Sequence, residues 1–248
     1  TGTVSRDNPY VFNIGFGFDT QLLISSNSVN SVMQNKGYIV EAEDQVYVTV
    51  RLTTTPQNFQ GGGLVSKGLA ALGTDFRVGA FINTGITNTN ENHYTFATVL
   101  ATENNTQVTF SPPTANTNIT LINHEAFANT PQTVLLNRGE SFAVAVQGPN
   151  AANADGLIGT LVHADKPIAM NCGSIAGTDG DANNLDLGFD QIVSVERTGT
   201  EYIFIKGNGL DIVERPLLVA HQNNTQVFLN GNIGAVATLN AGQYIALD

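Results

Sequence analysis

The densest cluster of chemistry-bearing side chains in this 248-residue chain is acidic: Asp179-Gly180-Asp181-Ala182-Asn183-Asn184-Leu185-Asp186, followed by Asp190. Carboxylate and amide oxygens at alternating positions of a glycine-containing loop can converge on one hard cation, so Asp179, Asp181, Asn183, Asp186 and Asp190 form a candidate calcium loop. The twelfth position, counted from Asp179, is Asp190 instead of the longer Glu that closes such loops. A solvated acidic turn is therefore the alternative reading. No other cofactor is indicated.

The remaining reactive groups are scattered. His93, His124, His163 and His221 show neither HxH nor HExxH spacing, and His163 reads as a half-buried strand residue. Cys172 is the single cysteine, which excludes an intrachain disulfide and a cysteine-based zinc site. Its segment, Pro167-Ile168-Ala169-Met170-Asn171-Cys172, reads as a buried strand running into a loop, where cysteine is a small hydrophobe and not a nucleophile. There is no GxSxG elbow and no phosphate-binding GxxxxGK[ST] loop, and Gly15-Phe16-Gly17-Phe18 lacks the helix that a dinucleotide fingerprint requires. No catalytic residue is assigned. Paired carboxylates for glycoside hydrolysis need only meet in space, which keeps a carbohydrate-active enzyme or carbohydrate-binding module as the alternative function.

Composition narrows the partners. Ten Lys and Arg stand against 21 Asp and Glu, a formal net charge of -11, and no basic cluster exists to neutralise phosphates. Nucleic acid and anionic membrane surfaces are excluded on that ground. Membrane insertion is not expected, because no run approaches the roughly 18 apolar residues of a spanning helix. Residues 1–6 also lack the features of a signal peptide.

The elements that must position any site read as β-strands. Apolar stretches rich in Val, Ile, Phe, Tyr and Thr recur between Gly, Asn and Pro signals, as in an all-β sandwich or barrel. Strands are expected within 38–52, 94–102, 106–110, 141–146 and 202–205. Val46, Val48, Val50 and Leu52 alternate with Tyr47, Thr49 and Arg51, as when one face is buried. Single helical turns are expected within 65–72 and 192–197.

Internal repetition organises these strands. Asn104-Asn105-Thr106-Gln107-Val108 recurs as Asn223-Asn224-Thr225-Gln226-Val227, an offset of 223 - 104 = 119. Gly73-Thr74-Asp75-Phe76 matches Gly199-Thr200-Glu201-Tyr202, at 199 - 73 = 126. Leu136-Asn137-Arg138-Gly139-Glu140 matches Leu239-Asn240-Ala241-Gly242-Gln243, at 239 - 136 = 103. A looser match joins Ala164-Asp165-Lys166-Pro167-Ile168-Ala169 to Glu43-Asp44-Gln45-Val46-Tyr47-Val48.

These matches lead to antiparallel β-sandwich-like repeated modules: a divergent or partial module at 1–72, a complete one at 73–198 and the opening half of another at 199–248. The Asn-Asn-Thr and Leu-Asn-x-Gly landmarks read as hairpin turns, since Asn and Gly accept left-handed backbone angles. Asp165-Lys166-Pro167 reads as the start of a strand, where the missing N–H of proline matters least. Residues 199–248 lack counterparts of 157–172, which predicts an open sheet edge. That edge is expected to be covered by residues 10–18, by a following domain or by a neighbouring copy.

The ordered set Asp165-Lys166-Pro167-Ile168-Ala169, Leu187-Gly188-Phe189-Asp190-Gln191-Ile192-Val193, Gly199-Thr200-Glu201-Tyr202, Asn223-Asn224-Thr225-Gln226-Val227 and Leu239-Asn240-Ala241-Gly242-Gln243-Tyr244 resembles the N-terminal domain of IgG-Fc-binding, mucus-associated proteins and its bacterial surface relatives. The resemblance implies a non-catalytic adhesion or structural domain of a large secreted or cell-surface protein. Its expected partners are a protein or glycan ligand and, through edge strands, homotypic or adjacent-domain pairing. A purely structural spacer is a third reading.

Overall fold

A computed structural model describes residues 2–17, 19–53, 61–79, 82–83, 93–113, 118–124, 130–148, 150–177, 186–209 and 214–247. Thirteen strands form among them: β1 (Thr49–Thr53), β2 (Gly61–Val65), β3 (Gly73–Arg77), β4 (Thr95–Ala101), β5 (Thr106–Ser111), β6 (Gln132–Leu136), β7 (Ser141–Val146), β8 (Leu161–Gly177), β9 (Asp186–Ile192), β10 (Leu217–Val219), β11 (Thr225–Val227), β12 (Ala237–Leu239) and β13 (Tyr244–Ala246). Every pairing is antiparallel, and short 3-10 turns at Gly68–Ala71 and Val195–Arg197 lie within the two stretches expected to coil. The chain is all-β, as its patterning predicts.

The long strand β8 belongs to two sheets. Residues 161–164 lie between β3 and β5, with Val162 opposite both Phe76 and Phe110. Residues 168–174 lie between β4 and β9, with Met170 opposite Val99 and Ile192. One sheet therefore runs β6-β5-β8-β3 and the other β7-β4-β8-β9. Their inner faces meet in one core containing Phe76, Val99, Val108, Phe110, Leu136, Phe142, Val162 and Met170. Phe110 of β5 and Phe142 of β7 meet across it with ring centroids 5.8 Å apart. Fully burying each such side chain contributes about 2 kcal/mol.

The corner of β8 is Asp165-Lys166-Pro167. Pro167 is not the first residue of a strand but sits inside β8, in the gap where pairing with β5 has ended at Ala164 and pairing with β4 has not yet begun at Ile168. No ladder bond is lost there, which is why proline is tolerated. Asp165 accepts the Gln107 backbone N–H at 2.8 Å, and Lys166 Nζ donates to the Asn104 and Asn105 carbonyls at 2.5 and 3.1 Å.

The two asparagine turns are not hairpins. The turn at 102–105 joins β4 to β5 and that at 137–140 joins β6 to β7, yet β4 pairs with β7 and β5 with β6. Both turns cross from one sheet to the other. Side by side, they clasp reciprocally: Asn104 Oδ1 accepts the Arg138 N–H at 3.1 Å, and Asn137 Oδ1 accepts the Asn105 N–H at 3.3 Å. Asn105 has φ 54 and Gly139 φ 83, the left-handed geometry these residue types accommodate.

The same clasp occurs in the C-terminal stretch. Asn223 Oδ1 accepts the Ala241 N–H at 3.1 Å and Asn240 Oδ1 the Asn224 N–H at 3.2 Å, with Asn224 at φ 58 and Gly242 at φ 81. There β10 pairs with β13 and β11 with β12, so Val219 opposes Tyr244 as Leu100 opposes Ser141. Its small core of Ala220, Val227 and Leu239, with Leu218, Ala237 and Ile245 against it, occupies the positions of Ala101, Val108, Leu136, Val99, Val134 and Phe142.

Other expectations fail. Of 38–52 only the end, β1, is a strand, and residues 202–205 form none. Among the described residues no strand lies beside either stretch, and strand propensity alone supplies no hydrogen-bond partner. His163 is exposed, at 57%, rather than half-buried. Cys172 is buried as read, but it sits within β8, which continues to Gly177.

Two outcomes follow. A Cβ at Gly173 would lie 2.6 Å from Phe189 Cα in the neighbouring strand, whereas one at Gly139 meets nothing within 4 Å and is penalised only through its backbone angle. Urea titration should show Gly173→Ala destabilised by about 3 kcal/mol and Gly139→Ala by about 1 kcal/mol; equal losses would contradict this packing. Burial pushes the Cys172 thiol up to about 12, so Ellman's reagent at pH 8 should leave it unmodified in the native protein and titrate it in denaturant.

Candidate binding surface

The C-terminal unit docks on the sandwich at fixed points. Arg77 donates from Nη1 to the Gly159 carbonyl at 2.8 Å and from Nη2 to the His221 carbonyl at 3.4 Å, and Tyr244 O–H bonds Asp155 Oδ2 at 2.7 Å. Gly159 and Gly242 approach so closely that a Cβ on Gly159 would lie 2.8 Å from the Gly242 carbonyl carbon. Only glycine fits there. Between the unit and the β2–β9 side of the sandwich lies an open cleft of about 410 Å³, bounded by Gly63, Gly79, Cys172, Phe189, Arg215 and Leu217.

Few chemistry-bearing side chains line this cleft. Its one thiol is the buried Cys172, whose S–H points at the Gly79 carbonyl. At its margin Asp190 is engaged by Lys67 Nζ at 2.7 Å. Of the candidate calcium ligands, Asp179, Asp181 and Asn183 lie outside the described residues, Asp186 opens β9, and Asp190 is the one placed beside a cation, Lys67. A metal using Asp190 has to share it with, or take it from, that ammonium. Among the described residues no group of three or more His, Cys, Asp and Glu side chains is disposed around a metal position.

The histidines are likewise dispersed. His163 Nδ1 lies 2.9 Å from Asp75 Oδ1 on the solvent side of the β3–β8 ladder. Thr74 donates to Asp75 Oδ2 at 3.0 Å and lies 2.8 Å from Glu196 Oε1, extending a polar surface network.

The open side of the C-terminal unit is the more informative surface. In the sandwich, β4 and β5 are covered along one edge by β8; among the described residues, β10 pairs only with β13 and β11 only with β12. The backbone groups of Leu217, Val219 and Gln226 that face away from those partners carry no hydrogen bond among the described residues. Residues 202–205, which continue the sequence landmark matching that of β3, form no strand. Phe76 and Val78 are 0% exposed against β8, while the matching Tyr202 and Phe204 are 58% and 60% exposed and Ile205 is 92% exposed. Sequence patterning reads 202–205 as strand, and the landmark count predicts an open edge in the same stretch of chain.

A second bare apolar segment lies at the other end of the chain. Tyr10, Val11, Phe12 and Phe16 are all exposed, and Phe12 meets Tyr38 edge-on at 5.6 Å. Contiguous apolar surface of this kind marks interaction sites. No described helix is long and apolar enough to cross a membrane.

No curated protein and no solved structure matches the chain. A family model described as IgGFc binding protein matches residues 62–248, which take in the whole sandwich from β2 onward and the C-terminal unit with its open edge. With three quarters of its residues inside that match, this chain belongs to the IgGFc-binding protein family.

Proposed function

We propose that the chain is a non-catalytic binding domain of an extracellular adhesion or structural protein, and that it works through protein contacts on the open side of its C-terminal unit. The observations that carry this reading are the β10–β11 edge, unpaired among the described residues, and the bare Tyr202 and Phe204. An exposed strand edge gives main-chain affinity to an extended partner, and flanking apolar side chains give selectivity. Membership of a family described by what it binds agrees with that.

The clasp suggests how such a surface arose. The second clasp repeats the first hydrogen bond for hydrogen bond and core position for core position, which supports reading 73–198 and 199–248 as products of one duplicated unit, with 1–72 a divergent part. In that reading the edge of the C-terminal unit that corresponds to the β8-covered edge of β4 and β5, unpaired among the described residues, is the binding surface. The acidic composition, at -11, suits a secreted surface domain.

The test is binding of IgG Fc, the ligand in the family's description, to the immobilised chain. Saturable binding is expected, with about tenfold weakening in a Tyr202→Ser/Phe204→Ser variant, the loss expected when an apolar anchor is truncated. No retention of Fc, or turnover of soluble glycans by the chain, would favour the carbohydrate-active alternative.

A further inference from the structure

The edge of β10 and β11 has no partner among the described residues, and a segment resembling β8 lies elsewhere in this chain. Residues 4–15, Val4-Ser5-Arg6-Asp7-Asn8-Pro9-Tyr10-Val11-Phe12-Asn13-Ile14-Gly15, align without a gap on residues 162–173 of β8, Val162-His163-Ala164-Asp165-Lys166-Pro167-Ile168-Ala169-Met170-Asn171-Cys172-Gly173, at an offset of 162 - 4 = 158. Val4, Asp7, Pro9, Asn13 and Gly15 are identical to their partners. The positions that β8 buries, Ile168, Met170 and Cys172, are matched by Tyr10, Phe12 and Ile14.

Three of the five identities have a visible task in β8. Asp165 accepts the Gln107 N–H, and Gln226 is the equivalent donor on the open edge. Pro167 marks the corner between the two sheets, and Gly173 permits the close approach of a neighbouring strand. Arg6, in place of the buried Ala164, and Asn8, in place of Lys166, are the departures at this corner.

We propose that residues 4–15 of one copy add as an antiparallel strand to the open edge of β10 and β11 in a second copy, in the place that residues 162–173 occupy beside β4 and β5. The register follows from β8. Leu100 opposes Ala169 and Thr98 opposes Asn171, so Val219 meets Val11 and Leu217 meets Asn13 of the incoming strand. Phe76 opposes Val162, so Tyr202 meets Val4 and 202–205 gains the partner it lacks. Two unexplained surfaces, one accepting and one donating, are satisfied by a single contact.

A second copy is the occupant because the segment of the same chain is tethered elsewhere. Lys36 Nζ holds Asp19 at 2.5 Å, Gly37 N–H bonds the Gln21 carbonyl at 2.9 Å or closer, and Gly37 lies against Leu100 of β4. Four residues separate Gly15 from Asp19, a reach of at most about 14 Å. Further along, Asn30 and Met33 are fastened to Ala143 and Ser141 of β7, while the C-terminal unit docks by Arg77 and Gly159 on the opposite edge. Donor and acceptor thus sit on opposite sides, and because they are different surfaces the contact is head-to-tail, generating filaments or rings.

This deepens the reading of the open side as a protein-binding surface. The test is a Val11→Cys/Val219→Cys variant with Cys172→Ala, whose two new thiols face each other across the proposed ladder within disulfide reach, run beside a Val11→Cys/Leu135→Cys control. Mild oxidation should produce a ladder of covalent oligomers on non-reducing gels, absent from the control and suppressed by a synthetic peptide of residues 3–17. A monomeric disulfide, placing the segment in its own chain, would overturn the proposal; so would a ladder equal to the control's or no cross-link. A chain lacking residues 1–16 should be monomeric by light scattering yet keep binding Fc. Loss of Fc binding with oligomers retained would instead sink the proposed function and leave strand exchange standing.

Discussion

Four strands of the sandwich, β3, β4, β5 and β9, take backbone hydrogen bonds from the single strand β8. A buried peptide group without a partner costs about 1–3 kcal/mol, so a strand that serves β3 and β5 along one half and β4 and β9 along the other decides whether four neighbours can be buried at all. The change of partners takes place at Asp165-Lys166-Pro167, where side chains replace the interrupted ladder: the Asp165 carboxylate takes the Gln107 N–H and the Lys166 ammonium takes two carbonyls of the adjacent turn. The bend is thus a second bonding arrangement rather than a defect in the first.

The asparagine clasp does a different job. It is local, tying two turns that lie 32 to 34 residues apart in sequence and closing the end of the core over Ala101, Val108 and Leu136. Its second occurrence shows what the clasp achieves without β8 alongside. Ala220, Val227 and Leu239 are still 8% exposed or less, so two pairs of strands and a knot of side-chain caps suffice to hold the end of a core together. Phe76, on a strand paired with β8, is fully buried, whereas Tyr202, on a segment with no strand partner among the described residues, is 58% exposed.

Much of this was legible in the residues, and the rest was not for identifiable reasons. The turns at Asn105, Asn224, Gly139 and Gly242 are fixed by local backbone chemistry, and all four have the left-handed angles their types favour. Strands such as β4, β5 and β7 announce themselves by alternation or by continuous burial. Which strands pair is non-local: the same turn residues serve a hairpin or a sheet-to-sheet crossing, and only the reciprocal Asn104–Arg138 and Asn137–Asn105 bonds distinguish them. Residues 46–48 and 202–205 show that strand-like composition is a statement about what a segment can do when offered an edge. The open edge is foreseeable by counting landmarks, whereas two segments compete to match Asp165-Lys166-Pro167, Asp44-Gln45-Val46 and Asp7-Asn8-Pro9; the proline, present at position 9 and absent at 46, separates the two alignments.

Glycines fix where the binding surface faces. Gly159 and Gly242 meet backbone to backbone, and Arg77 spans the junction to two carbonyls, so the C-terminal unit has a set orientation on the sandwich and is not a free appendage. Rigid presentation matters for strand addition, because an edge already in β geometry leaves only the incoming segment to be ordered, and ordering is the main entropic term opposing such contacts. A proline in the incoming strand lowers that term further by restricting its own backbone before contact. The same logic applies to the C-terminal unit: its clasp and its docking glycines hold the edge of β10 and β11 in strand geometry, while Tyr10, Val11 and Phe12 stay exposed at the far end of the chain.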